Sequence, residues 1–143
     1  MNGGFLFDTN ILSELMRPRP EPKVQNWVSA QDLGALFLSV VCIGELETGF
    51  TTMQDTARRA RLEASLERHL RLLFPGRVLP VTQAIAARWG RLGGMRELAG
   101  QPLSAPDGMI AATALEHGLT LVRRNVKDFA GLGVVLLNPW DAV

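Results

Sequence analysis

Hydrophobic residues in this chain fall into short runs separated by longer amphipathic stretches, a pattern that predicts strands alternating with helices. Phe5 to Phe7 reads as a short buried strand and Ile11 to Met16 as a short helix, with Thr9-Asn10 between them as turn and cap. The proline-rich segment Arg17-Pro18-Arg19-Pro20-Glu21-Pro22 predicts an extended surface connector. Val24, Trp27 and Val28 stand at helical spacing in the stretch to Ala30, and Leu36 to Leu38 is a second strand. Ser39 caps a helix reaching Thr51, on which Ile43, Leu46 and Phe50 recur at i, i+3 and i+7. Asp55 to Phe74 is a long amphipathic helix: Leu62, Leu66, Leu70 and Leu73 share one side, and Arg58, Arg61, Arg68 and Arg71 read as a solvated face. Pro75-Gly76 stops it. Val78-Leu79 is a strand, Thr82 caps a helix through Leu98, and Ser104-Ala105-Pro106-Asp107 opens a helix that ends at His117-Gly118. Thr120 to Val122 and Val134 to Leu137 close the pattern as strands.

Short apolar strands between helices imply a parallel sheet covered on both faces, with ligands gathered beyond the carboxyl ends of the strands. Four acids fall where such a fold can collect them: Asp8 after the first strand, Glu45 within an apolar helix, Asp107 in the first turn of an alanine-rich helix, and Asp128 beyond the strand at Thr120 to Val122. Carboxylates crowded into one pocket repel, which is tolerable with a bound divalent cation or a raised pKa. Each acid also has a plainer explanation. Asp8 suits turn chemistry, Asp107 is favoured by the helix dipole, Glu45 can snorkel to water, and Lys127-Asp128 can be a solvated loop pair.

At 143 residues and 47% hydrophobic content, the chain is expected to form a single domain spanning 1–143, with folding burying about two-thirds of its unfolded surface. The net charge of +1 excludes a bulk polycation, so any nucleic-acid contact has to be local. Cys42 is the single cysteine and sits among apolar neighbours; it reads as a packed hydrophobe in a reducing compartment, hence a cytoplasmic protein. No run is apolar enough to span a bilayer, and the amino terminus lacks an export signal pattern, so no membrane association is expected. His69 and His117 form no zinc pattern, and Trp27, Trp89 and Trp140 are spaced as core residues rather than base-stacking platforms. Trp27, Val28 and the apolar side of Asp55 to Phe74 exceed what a small core needs, which predicts a subunit or partner surface there.

Four blocks in order carry a resemblance. Phe5-Leu6-Phe7-Asp8-Thr9-Asn10-Ile11-Leu12-Ser13-Glu14 and Ser39-Val40-Val41-Cys42-Ile43-Gly44-Glu45-Leu46-Glu47-Thr48-Gly49 resemble the first two blocks of PIN-domain ribonucleases. Pro106-Asp107-Gly108-Met109-Ile110-Ala111-Ala112-Thr113-Ala114 and Leu121-Val122-Arg123-Arg124-Asn125-Val126-Lys127-Asp128-Phe129 resemble the third and fourth. One block alone is weakly specific, whereas all four in this order are strongly so. They look most like VapC-type toxins of toxin-antitoxin pairs, particularly the FitB-like branch. The resemblance implies a PIN-like three-layer α/β/α fold with a short, mostly parallel central sheet. It also implies a magnesium- or manganese-dependent endoribonuclease acting on RNA, a homodimer, and a small antitoxin that masks the acidic pocket and builds higher assemblies with it.

Carried over by position, the metal-site acids of the family fall on Asp8, Glu45 and Asp107, with Asp128 beside them as a further catalytic candidate. Thr9, Asn10, Arg123 and Asn125 are candidate substrate contacts. Two departures stand out. Asn125 occupies a place where many relatives carry an acid, so either Asn125 or Asp128 fills the fourth position. Arg123 stands where a hydroxyl residue is usual, and an arginine there either clamps a phosphate or pairs with an acid and weakens metal binding. These departures motivate an alternative, a catalytically weak PIN module that mainly binds RNA or a protein partner. A haloacid-dehalogenase-like phosphatase is disfavoured because Asn10 stands where that chemistry wants a second aspartate; a receiver domain lacks its paired acids.

Overall fold

Five strands, β1 (Phe5–Phe7), β2 (Leu36–Ser39), β3 (Val78–Leu79), β4 (Thr120–Val122) and β5 (Leu136–Leu137), form a wholly parallel sheet in the order β3-β2-β1-β4-β5. The computed structural model describes residues 3–141. Strands buried on both faces need near-continuous apolar sequence, and Leu6, Phe7, Leu36, Leu38, Leu121 and Val122 are all fully buried. Helices α1 (Thr9–Leu15), α2 (Pro22–Ser29), α3 (Val40–Thr51), α4 (Thr56–Leu73), α5 (Gln83–Leu98) and α6 (Ala105–His117) cover the sheet, completing the α/β/α layering. α1 packs on α2 and α3, α3 on α4 and α6, and α5 on α6. The α5–α6 approach depends on Gly108, because a Cβ there would collide with the indole of Trp89.

Four helices start at hydroxyl or acidic caps, three of them as the sequence marks them and the fourth at Asp55, which caps α4 rather than beginning it. Ser39 accepts from Val41 N at 3.1 Å, Asp55 from Arg58 N at 3.0 Å, Thr82 from Ile85 N at 3.2 Å and Ser104 from Asp107 N at 3.3 Å. Gly118 adopts a left-handed conformation with φ of 64° and closes α6.

The structure departs from the sequence reading in three places. Thr9 and Asn10 belong to the first helix, because the Asp8 carboxylate caps it by accepting from Thr9 N at 2.8 Å. The last strand shrinks to Leu136–Leu137, since Gly131 and Gly133 take φ of 80° and 79° and hold the preceding segment in turns. Trp27 and Val28 do not form a spare surface. Val28 is 7% exposed and half-buried Trp27 meets Phe5 edge to face at 5.0 Å, so both spend most of their apolar surface on the core.

The chain winds outward from β1 through β2 to β3, then crosses back to lay β4 on the opposite side of β1. Strand order therefore reverses between β1 and β4, the position at which open parallel sheets form a ligand crevice beyond their carboxyl ends. Phe7 pairs with Val122 across that junction, so the next residues, Asp8 and Arg123, emerge side by side.

Candidate active site

Asp8 leaves β1 with its amide donating to Val122 O at 2.9 Å and its carboxylate buried. Arg123 leaves β4 with its amide donating to Leu137 O at 3.0 Å, which aims the guanidinium into the cleft between the two strand ends. Its Nη1 lies 3.0 Å from Asp8 Oδ2 and 3.5 Å from Asp107 Oδ1, and its Nη2 lies 3.9 Å from Asp128 Oδ2. Asp8 and Asp107 thus share one nitrogen. Their oxygens are no farther apart than those two distances laid end to end. The face of the guanidinium rests on the Phe129 ring at 4.2 Å.

Glu45 joins from the other side. It is exposed, and Thr9 Oγ1 donates to its Oε1 at 2.5 Å, so the charge is presented to solvent rather than sunk beside the apolar stripe of α3. Oxygens of Asp8 and Glu45 and the sulfur of Cys42 all lie within 4.8 Å of one another. Asn125 donates from Nδ2 to Asp128 Oδ2 at 3.0 Å, so the two candidates for the fourth position are coupled, with Asp128 on the outer, exposed edge.

Burial pushes the Asp8 carboxyl above its ordinary range; Arg123 and the Thr9 amide pull it down, while Asp107 and Glu45 add to the rise. The Cys42 thiol is pushed up to about 12, mainly by burial, and donates to Phe7 O at 3.6 Å. The carboxylates around it offer hard oxygen donors of the kind divalent cations take, while the thiol is buried and held protonated in the metal-free protein. Cys42 should therefore resist thiol reagents in the folded protein at pH 8 and react once the chain is unfolded by denaturant. Stoichiometric labelling of the native protein within minutes would contradict the buried, protonated thiol.

Beside the acidic cluster runs a groove of about 1220 Å³ between α1, α3 and α4, which reaches the cluster through Thr9, Asn10 and Glu45. Arg58, Arg61 and Arg68 line it from α4 and are exposed, as the solvated-face expectation had it. Trp140 lines it too, with the Arg124 guanidinium 5.0 Å above its ring, and is therefore not simply a core residue. Asn10 lies in the same wall with Oδ1 buried and without a hydrogen-bond partner.

The structure thus gathers Asp8, Asp107, Asp128, Arg123 and Asn125 in one connected cluster, and Glu45 with Thr9 against Asp8. The sequence reading missed Arg124 with Trp140, whose contact joins the chain just beyond β4 to the chain just beyond β5. It also missed Glu14, which is 6% exposed and accepts from Glu21 N at 2.9 Å. An acid inside the apolar run Ile11 to Leu15 was the available signal; its role is to fix the proline connector.

The PIN domain family model matches residues 5–134, and the chain belongs to that family. Toxin FitB of Neisseria gonorrhoeae is 34% identical over 135 residues, covering 94% of this chain and 97% of that protein. VapC ribonuclease Y4jK of Sinorhizobium fredii is 32% identical over 136 residues, covering 95% and 97%. Among solved structures, that of FitAcB from Neisseria gonorrhoeae superposes with a TM-score of 0.86 at 34% identity, covering 96% of this chain and 99% of that one.

Proposed function

We propose that this chain, as a single domain spanning 1–143, is the toxin of a toxin-antitoxin pair and a divalent-metal-dependent endoribonuclease. The observation that carries the reading is the convergence of Asp8, Glu45 and Asp107 at the strand-order reversal of a parallel sheet, beside an arginine-lined groove. Similarity to proteins named as a toxin and as a VapC ribonuclease supports it.

Asp8, Glu45 and Asp107 would hold magnesium or manganese. A divalent ion there supplies a Lewis acid that favours hydroxide over water and neutralises charge on the phosphate. The remaining work belongs to the protein. Glu45, held by Thr9 and open to the groove, accepts the proton of the attacking water as its oxygen bonds to phosphorus; the bond from phosphorus to one ribose oxygen breaks, and that oxygen takes up a proton from solvent. Arg58, Arg61, Arg68 and Arg124 offer cations to flanking phosphates, and Trp140 offers a ring face to a base. A chain of net charge +1 needs such local arginines to hold RNA.

Similarity to a protein named as a toxin and to the solved FitAcB supports an antitoxin partner, and we extend the reading to an antitoxin that masks the acidic pocket and to a homodimer in the cytoplasm, where RNA and reducing conditions coexist. The alternative of a catalytically weak module that binds RNA or protein is less favoured, because such a module has no need of three converging carboxylates. The test is incubation of antitoxin-free protein with a mixed RNA pool. Cleavage should appear with magnesium or manganese and stop with EDTA; intact RNA under every cation condition would overturn the reading.

A further inference from the structure

A guanidinium touching three carboxylates in the crevice of a metal-dependent site is a second positive charge competing for the same ligands. Arg123 is 6% exposed, its ring-facing side rests on Phe129, and its Nε and Nη1 are buried without a hydrogen-bond partner. Nη1 approaches Asp8 as an ion pair at 3.0 Å, yet its alignment is not that of a hydrogen bond. The side chain is therefore held by charge and stacking rather than by a satisfied donor network, an arrangement that leaves buried N–H groups at a cost. The Asp8–Asp107 position is filled, whereas Glu45 makes no ion pair among the described residues.

We propose that Arg123 is a built-in cation that occupies the Asp8–Asp107 side of the pocket, so that a divalent ion binds both carboxylates only when the guanidinium moves out toward Asp128. Asp128 is the natural stopping point for that movement. It is exposed, already within 3.9 Å of Nη2, and fixed by Asn125. Arg123 thereby sets the affinity of the site for its ion: the protein exchanges an internal charge for an external one, and the carboxylates are never left uncompensated. The inference rests on the metal-dependent reading above and concerns a positioning residue, because Arg123 acts through the ligands.

The test measures manganese binding directly, by calorimetry and by the electron paramagnetic resonance of the free ion, in wild type and Arg123→Gln. Removing the competing charge should tighten manganese binding by about tenfold or more. In EDTA the variant should melt below wild type, since its carboxylates then repel without compensation, and saturating manganese should raise its melting temperature by more than it raises that of wild type. A purely structural arginine would give equal or weaker binding on removal, and that result overturns the proposal. Should Arg123→Gln fail to fold, the Arg123 Nε–H resonance of the wild-type protein decides: it should shift and exchange faster with water as magnesium is added, and an unmoved resonance at saturation overturns the idea. If wild type and variant both bind no ion at millimolar manganese, this inference and the metal-dependent reading fall together; equal affinities would sink the inference alone.

Discussion

Asp8→Asn is expected to lower metal-dependent RNA cleavage by on the order of a hundred- to a thousandfold and to leave the metal-free protein at least as stable as wild type at pH 7. Asp8 links the two halves of the site: it pairs with Arg123 at 3.0 Å, shares Nη1 with Asp107, and has an oxygen within 4.8 Å of one on Glu45. Asparagine keeps its shape and can still cap α1 by accepting from the Thr9 amide, so the local backbone has no reason to move. What changes is charge. Burial holds the Asp8 carboxyl above its ordinary range despite Arg123 and the Thr9 amide. For an acid with a raised folded-state pKa, the stabilising contribution is complete below the unfolded value of 3.8 and fades as pH rises through the folded one. At pH 7 the ionised group is therefore a net burden on the metal-free fold, and the neutral amide removes it. Melting curves in EDTA at pH 7 and pH 5 check both halves. Relative to the variant, wild type should gain stability on going from pH 7 to pH 5. A variant melting well below wild type at pH 7 would show that the Arg123 pair outweighs burial.

How much of this site could be read from the chain depends on how far each residue's role is local. Asp8, Ser39, Asp107 and Ser104 sit at element ends, where strand length, cap chemistry and helix dipole all act within a few residues, and the structure places each where that reasoning put it. The alternation of short apolar runs with amphipathic stretches likewise specified a parallel sheet, since only strands buried on both faces dispense with period-two polarity. The failures are contacts that need register. Whether Arg123 clamps a phosphate or pairs with acids depends on β4 lying beside β1 with Val122 opposite Phe7, and no local pattern encodes that pairing. Arg124 and Trp140 meet only because β5 returns the chain past the end of β4. Trp27 misled for the opposite reason: its helical spacing was correct, but the volume it fills is defined by Phe5 and Phe7 on a strand elsewhere in sequence. Asn125, expected as a neutral fourth ligand or a substrate contact, instead donates to Asp128 and orients that acid, a pairing set by the turn beyond β4.

Glu45→Gln separates catalysis from packing more cleanly than any change at Asp8, because Glu45 is exposed and contributes little to the core. The glutamine carbonyl can still accept from Thr9 Oγ1, so volume, helix and hydrogen bond persist. A solvent-facing carboxylate suffers little desolvation, hence its neutralisation should leave the melting temperature in EDTA unchanged within about a degree, unlike a buried acid whose removal relieves repulsion. Cleavage should nevertheless fall on the order of a hundredfold, the usual effect of removing one general base or charge-positioning group. Two readouts distinguish how that loss arises. If Glu45 is chiefly a ligand, manganese affinity drops and excess ion restores part of the rate; if it chiefly accepts the water proton, affinity holds and no concentration of manganese rescues cleavage. The geometry favours a contribution to both, since Glu45 stands within 4.8 Å of an Asp8 oxygen and also opens onto the groove where RNA would lie. Partial rescue is therefore the expected result, and a Glu45→Gln variant that cuts RNA at the wild-type rate would remove Glu45 from the mechanism.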